Sequence, residues 1–333
     1  MAVGPGEAVT APLVRDLRRL TDAVREAEPM ARHTTFRIGG PADVYVEPED
    51  RDRLVAVLDY LTARGVPYQV VGQGSNLLVA DAGVRGVVVS PVKALRRLDF
   101  EGRRARAGAG VLLTQLAHAA RRRALAGCEF AVAIPGTLGG GLFMNAGAHG
   151  SSLAAVVAAA EVWTPERGVV RLPAAELGLS YRHSRLWEAG WVVLEAWLEL
   201  EPDSGEAITA RMRHVVAVRR RTQPVGHPNA GSVFKNPPQD YAGRLIDAVG
   251  AKGWRVGGAE VSSLHANFIN NRGGARAADV LCLMRRIRAA VHREYGVILR
   301  PEVRWVGPPA GGEGTTWENL WCREDAGWPE PCA

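Results

Sequence analysis

The feature that most constrains this chain is a glycine-rich stretch, I-P-G-T-L-G-G-G-L-F-M-N-A-G-A-H-G, at residues 134–150. It holds six glycines in 17 residues. Turns and close helix packing explain one or two of them well but explain six poorly. Main-chain N–H groups bind phosphate where no side chain intervenes. The better interpretation of the whole stretch is therefore a backbone cradle for a pyrophosphate.

A second glycine loop, V-V-G-Q-G-S-N-L-L-V, occupies residues 70–79. Gly72 and Gly74 allow backbone N–H groups to approach a ligand, and Ser75 and Asn76 add short polar side chains. The loop is not a Rossmann fingerprint, because Leu77 stands where the third glycine belongs, and the chain has no P-loop motif. Two glycine loops on strand-turn elements predict a site for a large, elongated cofactor.

Composition excludes several classes of protein. The 333 residues, 47% of them hydrophobic, allow a sizeable core and suggest two domains or one large domain with an appendage. The formal charge of +6 comes from arginines scattered over predicted helices, as at 121–123 and 219–221. A nucleic-acid binder would concentrate them in one stripe, so no nucleic-acid partner is expected, although some could line a basic cleft for a phosphorylated small molecule.

Targeting signals and metal-binding patterns are not found in the sequence. The N-terminus has no apolar core of signal-peptide length, and no run approaches the ~18 apolar residues of a membrane span. The four cysteines show neither a C-x-x-C pair nor metal-ligand spacing. We therefore expect a cytoplasmic protein with no membrane partner and no metal.

Hydrophobic periodicity predicts the main elements and one boundary. Helical spacing covers residues 13–28, 208–221 and 275–295. Strand patterns cover 191–200 and 267–270, and a strand pair is predicted in V-I-L-R-P-E-V-R-W-V. The polar stretch 201–206 contains Pro, Ser and Gly and marks a domain boundary. The chain is therefore divided into an N-terminal segment (1–28), a large domain (29–206), a smaller domain (207–307) and a flexible tail (308–333).

The stretch N-A-G-S-V-F-K-N-P, at residues 229–237, places Ser232 after a glycine. No His or Asp stands around it in the pattern of a hydrolase nucleophile. Serines in loops commonly form turns or caps, and on the residue alone that interpretation is favoured. A catalytic role for Ser232 needs support from the rest of the chain.

That support comes from a resemblance that covers residues 32–307. The chain is similar to the UDP-N-acetylenolpyruvoylglucosamine reductases, also called UDP-N-acetylmuramate dehydrogenases. The short spacing between Tyr181 and Ser232 resembles the subtype that lacks a tyrosine-bearing insertion. The motifs that carry the resemblance are H-T-T-F-R-I-G-G-P-A-D (33–43), G-Q-G-S-N-L-L-V (72–79), I-P-G-T-L-G-G-G-L-F-M-N-A-G-A (134–148), Y-R-H-S-R (181–185), N-A-G-S-V-F-K-N-P (229–237), A-G-R-L-I-D (242–247) and R-P-E-V-R (300–304).

The resemblance implies an α+β fold: a two-part FAD-binding domain of the vanillyl-alcohol-oxidase (PCMH) type at 29–206, followed by a smaller α/β substrate-binding domain at 207–307. It also implies that NADPH reduces a non-covalently bound FAD, which then reduces the enolpyruvyl group of UDP-N-acetylglucosamine enolpyruvate. The FAD-binding residues it implies are Gly72, Gln73, Gly74, Ser75, Asn76, Leu77, Pro135, Gly136, Thr137, Gly139, Gly140, Asn145, Ala146, Gly147 and Ala148.

The resemblance also gives Ser232 a role, as the acid that protonates the carbon next to the reduced one. Arg182 and Glu302 are implied to stabilise the enolate-like charge that develops in between. A carboxylate beside an enolate is reasonable only if it is protonated or donates through water, so we expect a raised pKa for Glu302 in the complex. Taken alone, Arg182 and Glu302 would be read as an ordinary ion pair. Tyr181, Lys235 and Asn236 are the implied substrate-binding residues.

Two departures from the family pattern leave an alternative open. Thr222 and Leu264 stand where the family usually carries a basic residue, and Arg221 or Lys252 could compensate. The main expectation is a cytoplasmic, monomeric enzyme of peptidoglycan precursor synthesis, with a UDP-sugar as substrate and roles in cell wall biogenesis, cell shape, cell cycle and cell division. The alternatives are a paralogous FAD reductase for another unsaturated or enol-ether sugar in specialised metabolism, and a flavin-binding module without turnover.

Overall fold

The computed structural model describes residues 10–308 of the chain. The predicted flexible tail, 308–333, lies outside these residues except for its first position. Within them the helices are α1 (Ala11–Leu20), α2 (Arg51–Ala63), α3 (Leu113–Arg121), α4 (Leu138–Phe143), α5 (Arg185–Ala189), α6 (Gly205–Thr222), α7 (Ala242–Ala248) and α8 (Ala277–Tyr295). The strands are β1 (Val24–Pro29), β2 (Pro41–Val46), β3 (Tyr68–Val70), β4 (Leu77–Val79), β5 (Val84–Val89), β6 (Leu98–Glu101), β7 (Arg104–Gly108), β8 (Leu125–Ala126), β9 (Gly147–Ala148), β10 (Ser151–Ser152), β11 (Val157–Thr164), β12 (Gly168–Pro173), β13 (Val192–Glu199), β14 (Glu201–Pro202), β15 (Arg255–Val256), β16 (Ala259–Val261), β17 (Ile269–Asn271) and β18 (Arg304–Val306). The mixture of helices and mainly antiparallel sheets confirms the α+β class.

The described residues form two compact units that alternate along the chain. Unit 1 comprises residues 10–26, 44–73 and 86–219, and unit 2 comprises residues 27–43, 74–85 and 220–308. Two short segments, 27–43 and 74–85, belong to unit 2 because they contact residues more than a hundred positions further along the chain. Composition gives no sign of this assignment. The boundaries at 28/29 and 206/207 stay a prediction.

Unit 1 is built on a five-stranded antiparallel sheet with the strand order β12-β11-β13-β7-β6. A four-stranded sheet has the order β1-β2-β5-β3, in which β3 and β5 pair in parallel. The largest fully buried side chain is Trp163, whose indole N–H donates to Asp59 at 2.7 Å. The core of unit 1 is formed by residues from helices α1 to α6 and from these sheets.

Unit 2 has a core of its own, formed mainly by α7 and α8 with Phe36 and Phe234. Its three-stranded sheet has the order β15-β16-β17, and β4 pairs in parallel with β18. Helix α8 begins where the carboxylate of Asp279 accepts from the N–H of Arg276 at 2.9 Å, and ends at Gly296, which has φ +66°.

Several predicted elements are confirmed and two are wrong. The predictions at 191–200, 208–221, 267–270 and 275–295 correspond to β13, α6, β17 and α8. The strand pair predicted at the C-terminal end is instead the single strand β18 and an isolated bridge between Phe234 and Pro301.

The helix predicted over residues 13–28 is the other error. Helix α1 ends at Leu20, and β1 follows from Val24. Thr21 adopts an extended conformation, is 1% exposed, and donates its hydroxyl to Glu49 at 2.8 Å. This tertiary contact and the pairing of β1 in the sheet outweigh the local helical spacing.

Candidate active site

The glycine-rich loop at 134–150 lies wholly in unit 1, where packing explains several of its glycines. A Cβ at Gly139 would come within 2.9 Å of the Ala109 Cβ, and one at Gly141 within 2.8 Å of Leu153. A Cβ at Gly147 would lie 2.5 Å from the Ser151 carbonyl oxygen. Gly136 and Gly150 have positive φ. Local structure therefore requires five of the six glycines, more than the sequence suggested.

Gly140 is the exception. It is exposed, and a Cβ there would meet only the Thr137 hydroxyl, at 3.5 Å. Because Gly140 has no side chain, its main chain is accessible from solvent, and a ligand can approach it closely. Pro135, at the start of the same loop, is also exposed.

The two glycine loops meet in unit 1. A Cβ on Gly72 would lie 2.6 Å from the Thr137 hydroxyl, and that hydroxyl accepts from the N–H of Gly140 at 3.3 Å. Gly72 and the exposed Gln73 end the segment of the first loop that belongs to unit 1. The remaining predicted cofactor residues of that loop, Gly74 to Leu77, lie in unit 2, where Gly74 has φ +62°.

Arg182 lies in a turn packed on the glycine-rich loop of unit 1. Its guanidinium donates to the Gly147 carbonyl at 3.2 Å and lies over the ring of Tyr181, 5.2 Å from its centroid. The Tyr181 side chain is 55% exposed. Asn145 donates to the Ser180 carbonyl at 2.9 Å, so the turn and the loop are held together at Asn145 as well as at Gly147.

Unit 2 brings together Ser232, Glu302 and Asn76. The N–H of Glu302 donates to the carbonyl of Val233, next to Ser232, at 2.8 Å. Asn76 donates its side-chain amide to the Glu302 carbonyl at 3.1 Å. Ser232 forms an isolated antiparallel bridge with Phe268, and so three chain segments distant in sequence meet around this serine.

A cavity of about 380 Å³ opens in unit 2 beside Ser232 and Asn236. Asn236 accepts at its side-chain oxygen from the N–H of Ala242, the first residue of α7, at 3.1 Å. Lys235 is fixed through its backbone, which donates to the Arg300 carbonyl at 2.8 Å. The cavity is lined by Ser232, Asn236, Tyr241, Gly243, Arg244, Asp247, Lys252, Leu264, His265, Ala266 and Asn267.

The charged groups in this cavity are paired within the protein. Lys252 contacts Asp247 at 2.7 Å, and Arg244 pairs with Asp240, where its hydrogen bond lowers the pKa of that carboxyl to about 2. Burial, with the positive charge of Lys252 as a further cause, lowers the pKa of His265 below its ordinary value of 6.5. The imidazole is therefore expected to be neutral at pH 7.

Both departures noted in the sequence can now be located. Leu264 lines the cavity and is 47% exposed, while Thr222 is exposed and is not among its lining residues. Lys252 lines the cavity with Leu264, and Arg221 does not. Of the two residues considered as substitutes for the missing positive charge, Lys252 is therefore the one placed to act in this cavity.

Arg219 is a residue that the motif analysis missed. It lies near the end of α6 and donates to the carbonyl of Ala133, just before the glycine-rich loop. Burial lowers the pKa of its guanidinium, and among residues 10–308 no carboxylate lies within ion-pair distance of it. A half-buried cation without a counter-charge is costly and indicates a site for an anion.

The comparisons with known proteins agree with this geometry. Residues 223–306 match the family model for the UDP-N-acetylenolpyruvoylglucosamine reductase C-terminal domain, and residues 42–172 match a model for an FAD binding domain. A UDP-N-acetylenolpyruvoylglucosamine reductase 2 from Symbiobacterium thermophilum is 49% identical over 87% of this chain and 94% of its own length.

The chain belongs to the UDP-N-acetylenolpyruvoylglucosamine reductase family. A reductase of this name from Moorella thermoacetica is 50% identical over 83% of this chain and 91% of its own. The crystal structure of UDP-N-acetylenolpyruvylglucosamine reductase from Thermus caldophilus superposes with a TM-score of 0.73 at 38% identity, covering 84% of this chain and 97% of that one. These matches confirm the family resemblance and the FAD-binding fold that it implied.

The residues present fit the FAD that the reductase family uses. Unit 1 offers an exposed main chain at Gly140, the junction of Gly72 with Thr137, and the uncompensated guanidinium of Arg219. Together these provide an accessible main chain and a positive charge, the combination suited to a pyrophosphate. Within residues 10–308 no helix is long and apolar enough to cross a membrane, and no group of three potential ligands is arranged for a metal ion.

Proposed function

We propose that this chain is the FAD-dependent reductase that converts UDP-N-acetylglucosamine enolpyruvate to UDP-N-acetylmuramate, using NADPH. The observation that carries the proposal is the position of Ser232, which lines the cavity of unit 2 next to the backbone that binds Glu302. A serine acid needs access to a substrate and no histidine partner, and this cavity supplies the access. Reduced FAD, when bound, supplies the hydride for the enolpyruvyl double bond.

The glycine loops would hold the pyrophosphate of FAD. The exposed backbone at Gly140 and near Gly72 would lie against it, and Arg219 would provide positive charge at the beginning of the glycine-rich loop. The other loop residues implied by the resemblance, from Pro135 to Ala148, shape this surface. Packing requirements at Gly139 and Gly141 keep the loop rigid, so that its exposed surface is arranged before the cofactor binds.

The catalytic roles follow from charge. Reduction of the vinyl carbon pushes an electron pair onto the neighbouring carbon and its carboxylate, and Arg182 stabilises that negative charge. Ser232 then donates its hydroxyl proton to this carbon and regains a proton from solvent. Glu302 assists in a protonated form or through water. Arg182 has φ +53°, a conformation uncommon for a non-glycine residue, which supports a functional reason for its position.

The nucleotide part of the substrate occupies the cavity of unit 2. Lys252 and Arg244, each paired with an aspartate of the protein, offer two cations to a diphosphate. Asn236 and the exposed ring of Tyr241 add a polar amide and an apolar surface. Tyr181 and Lys235 contact the substrate elsewhere. At the level of the cell, the enzyme acts in the cytoplasm as a monomer in peptidoglycan precursor synthesis. Through that pathway it supports cell wall biogenesis, cell shape, the cell cycle and cell division.

Anaerobic stopped-flow absorbance tests the proposal in two steps. The purified protein is first reduced with NADPH and then mixed with UDP-N-acetylglucosamine enolpyruvate while flavin reoxidation is recorded. Rapid reoxidation, with UDP-N-acetylmuramate as product, is the expected result. A flavin that is reduced by NADPH but does not respond to this substrate would instead support the paralogous reductase, and a flavin that is not reduced would support a binding module.

A further inference from the structure

The turn that carries Arg182 is held by side chains as well as by backbone. Ser180 and His183 form an isolated bridge across it, and Arg182 between them has φ +53°. A non-glycine residue in this left-handed region costs free energy, and the conformation persists only where the surroundings enforce it. The residues that enforce it therefore decide where the guanidinium lies.

Two buried side chains attach this turn to the glycine-rich segment. Ser184, fully buried, donates its hydroxyl to the Phe143 carbonyl at 2.7 Å. Asn145, 6% exposed, donates to the Ser180 carbonyl at 2.9 Å. The two hydrogen bonds lie on either side of Arg182 in the sequence, and both end on the short stretch that also contains Gly147.

The other end of the Asn145 amide is engaged as well. Its oxygen accepts from the N–H of Ala154 at 3.0 Å, and its backbone has φ +42°. The side chain therefore crosslinks three pieces of main chain inside the protein. A group held in this way is better suited to fixing the loop and turn together than to binding a cofactor directly.

We propose that Asn145 and Ser184 are positioning residues that hold Arg182 where it can meet the charge that develops on the substrate. The inference rests on the proposed catalytic role of Arg182. The guanidinium itself donates to the Gly147 carbonyl at 3.2 Å. It is therefore bound to the same segment to which Asn145 and Ser184 attach the turn. Small displacements of a catalytic group can cost about 100-fold in rate.

A double-mutant cycle on the FAD-loaded enzyme tests the inference. Asn145→Ala and Ser184→Ala are each made in the wild-type enzyme and in Arg182→Lys, whose retained charge keeps the residual rate measurable. We expect each substitution to lower kcat about 10- to 100-fold in the wild type and less than about threefold beside Lys at 182. We also expect FAD affinity, measured by flavin fluorescence on the deflavinated protein, to change less than about threefold.

A matched control separates positioning from general loss of structure. Asp59→Asn weakens another side-chain hydrogen bond of unit 1, the one that the buried Trp163 donates to the exposed Asp59, and its effect on kcat should be the same in both backgrounds. If Asn145→Ala and Ser184→Ala were equally costly with Arg or Lys at 182, the inference would be overturned. A large loss of FAD affinity would also overturn it, by making Asn145 a cofactor ligand. Full activity of Arg182→Lys and Arg182→Ala would instead refute the proposed catalytic role. If Asn145→Ala does not fold, Ser184→Ala alone decides.

Discussion

The side-chain amide of Asn76 donates to the main-chain carbonyl of Glu302 across 226 positions of sequence, at 3.1 Å. The N–H of Arg304 returns a hydrogen bond to the Asn76 carbonyl at 2.9 Å, and the parallel pairing of β4 with β18 continues from there. The first glycine loop and the catalytic glutamate of the proposal thus share one backbone scaffold in unit 2. Their side chains can be changed separately while this scaffold is kept.

Ser232→Ala is expected to reduce turnover by about 10²- to 10⁴-fold, the usual contribution of a general acid. Reduction of the flavin by NADPH should remain near the wild-type rate, because that step needs no proton from this serine. Stopped-flow measurement of the two half-reactions checks both statements. Ser263→Ala, which changes an exposed serine that does not line the cavity, is the control and should behave as wild type.

Glu302→Gln is expected to leave a few per cent of activity or less. The main-chain N–H and carbonyl of Glu302 make the hydrogen bonds to Val233 and Asn76, so the near-isosteric change keeps the scaffold and alters only the side chain. Thermal unfolding should therefore change little while kcat falls. Near-normal turnover would refute a role for this carboxyl group in stabilising charge or delivering a proton.

Two neighbouring glycines should respond differently to alanine. Gly139→Ala forces a Cβ to within 2.9 Å of Ala109 and should destabilise the fold by about 1–3 kcal/mol. Gly140→Ala meets only a 3.5 Å contact and should fold normally but weaken FAD binding, because the methyl group covers open backbone. Thermal unfolding of the deflavinated protein and FAD titration distinguish the two. Unchanged FAD affinity in Gly140→Ala would place the cofactor elsewhere.

Arg219→Met is expected to weaken FAD binding about 10- to 100-fold, the value of one charge-assisted hydrogen bond. Riboflavin, which lacks phosphate, should bind the variant as it binds wild type, since only the anionic part of the cofactor is affected. The deflavinated variant should be as stable as wild type or more so, because a half-buried cation without a counter-charge is removed. Arg220→Met, at the exposed next position, is the control. Equal loss of FAD and riboflavin affinity would contradict a pyrophosphate contact.

The pKa of His265 should respond to its charged neighbours. Lys252→Met removes a cation and should raise the pKa toward 6.5, whereas Asp247→Asn removes the opposing carboxylate and should lower it further. NMR titration of the imidazole measures both shifts. Opposite or absent shifts would show that burial alone, and not Lys252, sets the ionisation of this histidine.

The same lowered pKa has a consequence for stability. Between the folded-state value and 6.5, the unfolded chain binds more protons at His265 than the folded protein does, so stability rises with pH in this window. The contribution is fully present above about pH 6.5 and is lost as the pH falls through the folded-state pKa. His265→Gln should flatten the dependence of unfolding free energy on pH near 6, as measured by denaturant titration.

The sequence indicated the glycine loops and the candidate catalytic residues, but not the residues that surround them in the fold. The glycine loops could be recognised from a few consecutive residues. The roles of Ser232, Arg182 and Glu302 were implied by the family resemblance and stay a prediction. No such local signal marked the cavity residues Lys252 and His265 or the half-buried Arg219. Arg219 appeared as one of three consecutive arginines, and its contact with Ala133 distinguishes it from exposed Arg220 and Arg221.

The sequence by itself determined the local features of this protein: where α6 and α8 form, which loops must be built from glycine, and which residue types are available for catalysis. Side-chain periodicity and backbone freedom are properties of a few consecutive residues, so they can be read in order. Only the tertiary structure decided that residues 21–29 leave the helix for a strand, that residues 27–43 and 74–85 belong with the C-terminal part of the chain, and that Asn76 meets Glu302. These outcomes depend on hydrogen bonds and burial shared between distant segments, whose free energy exists only once both segments are in place.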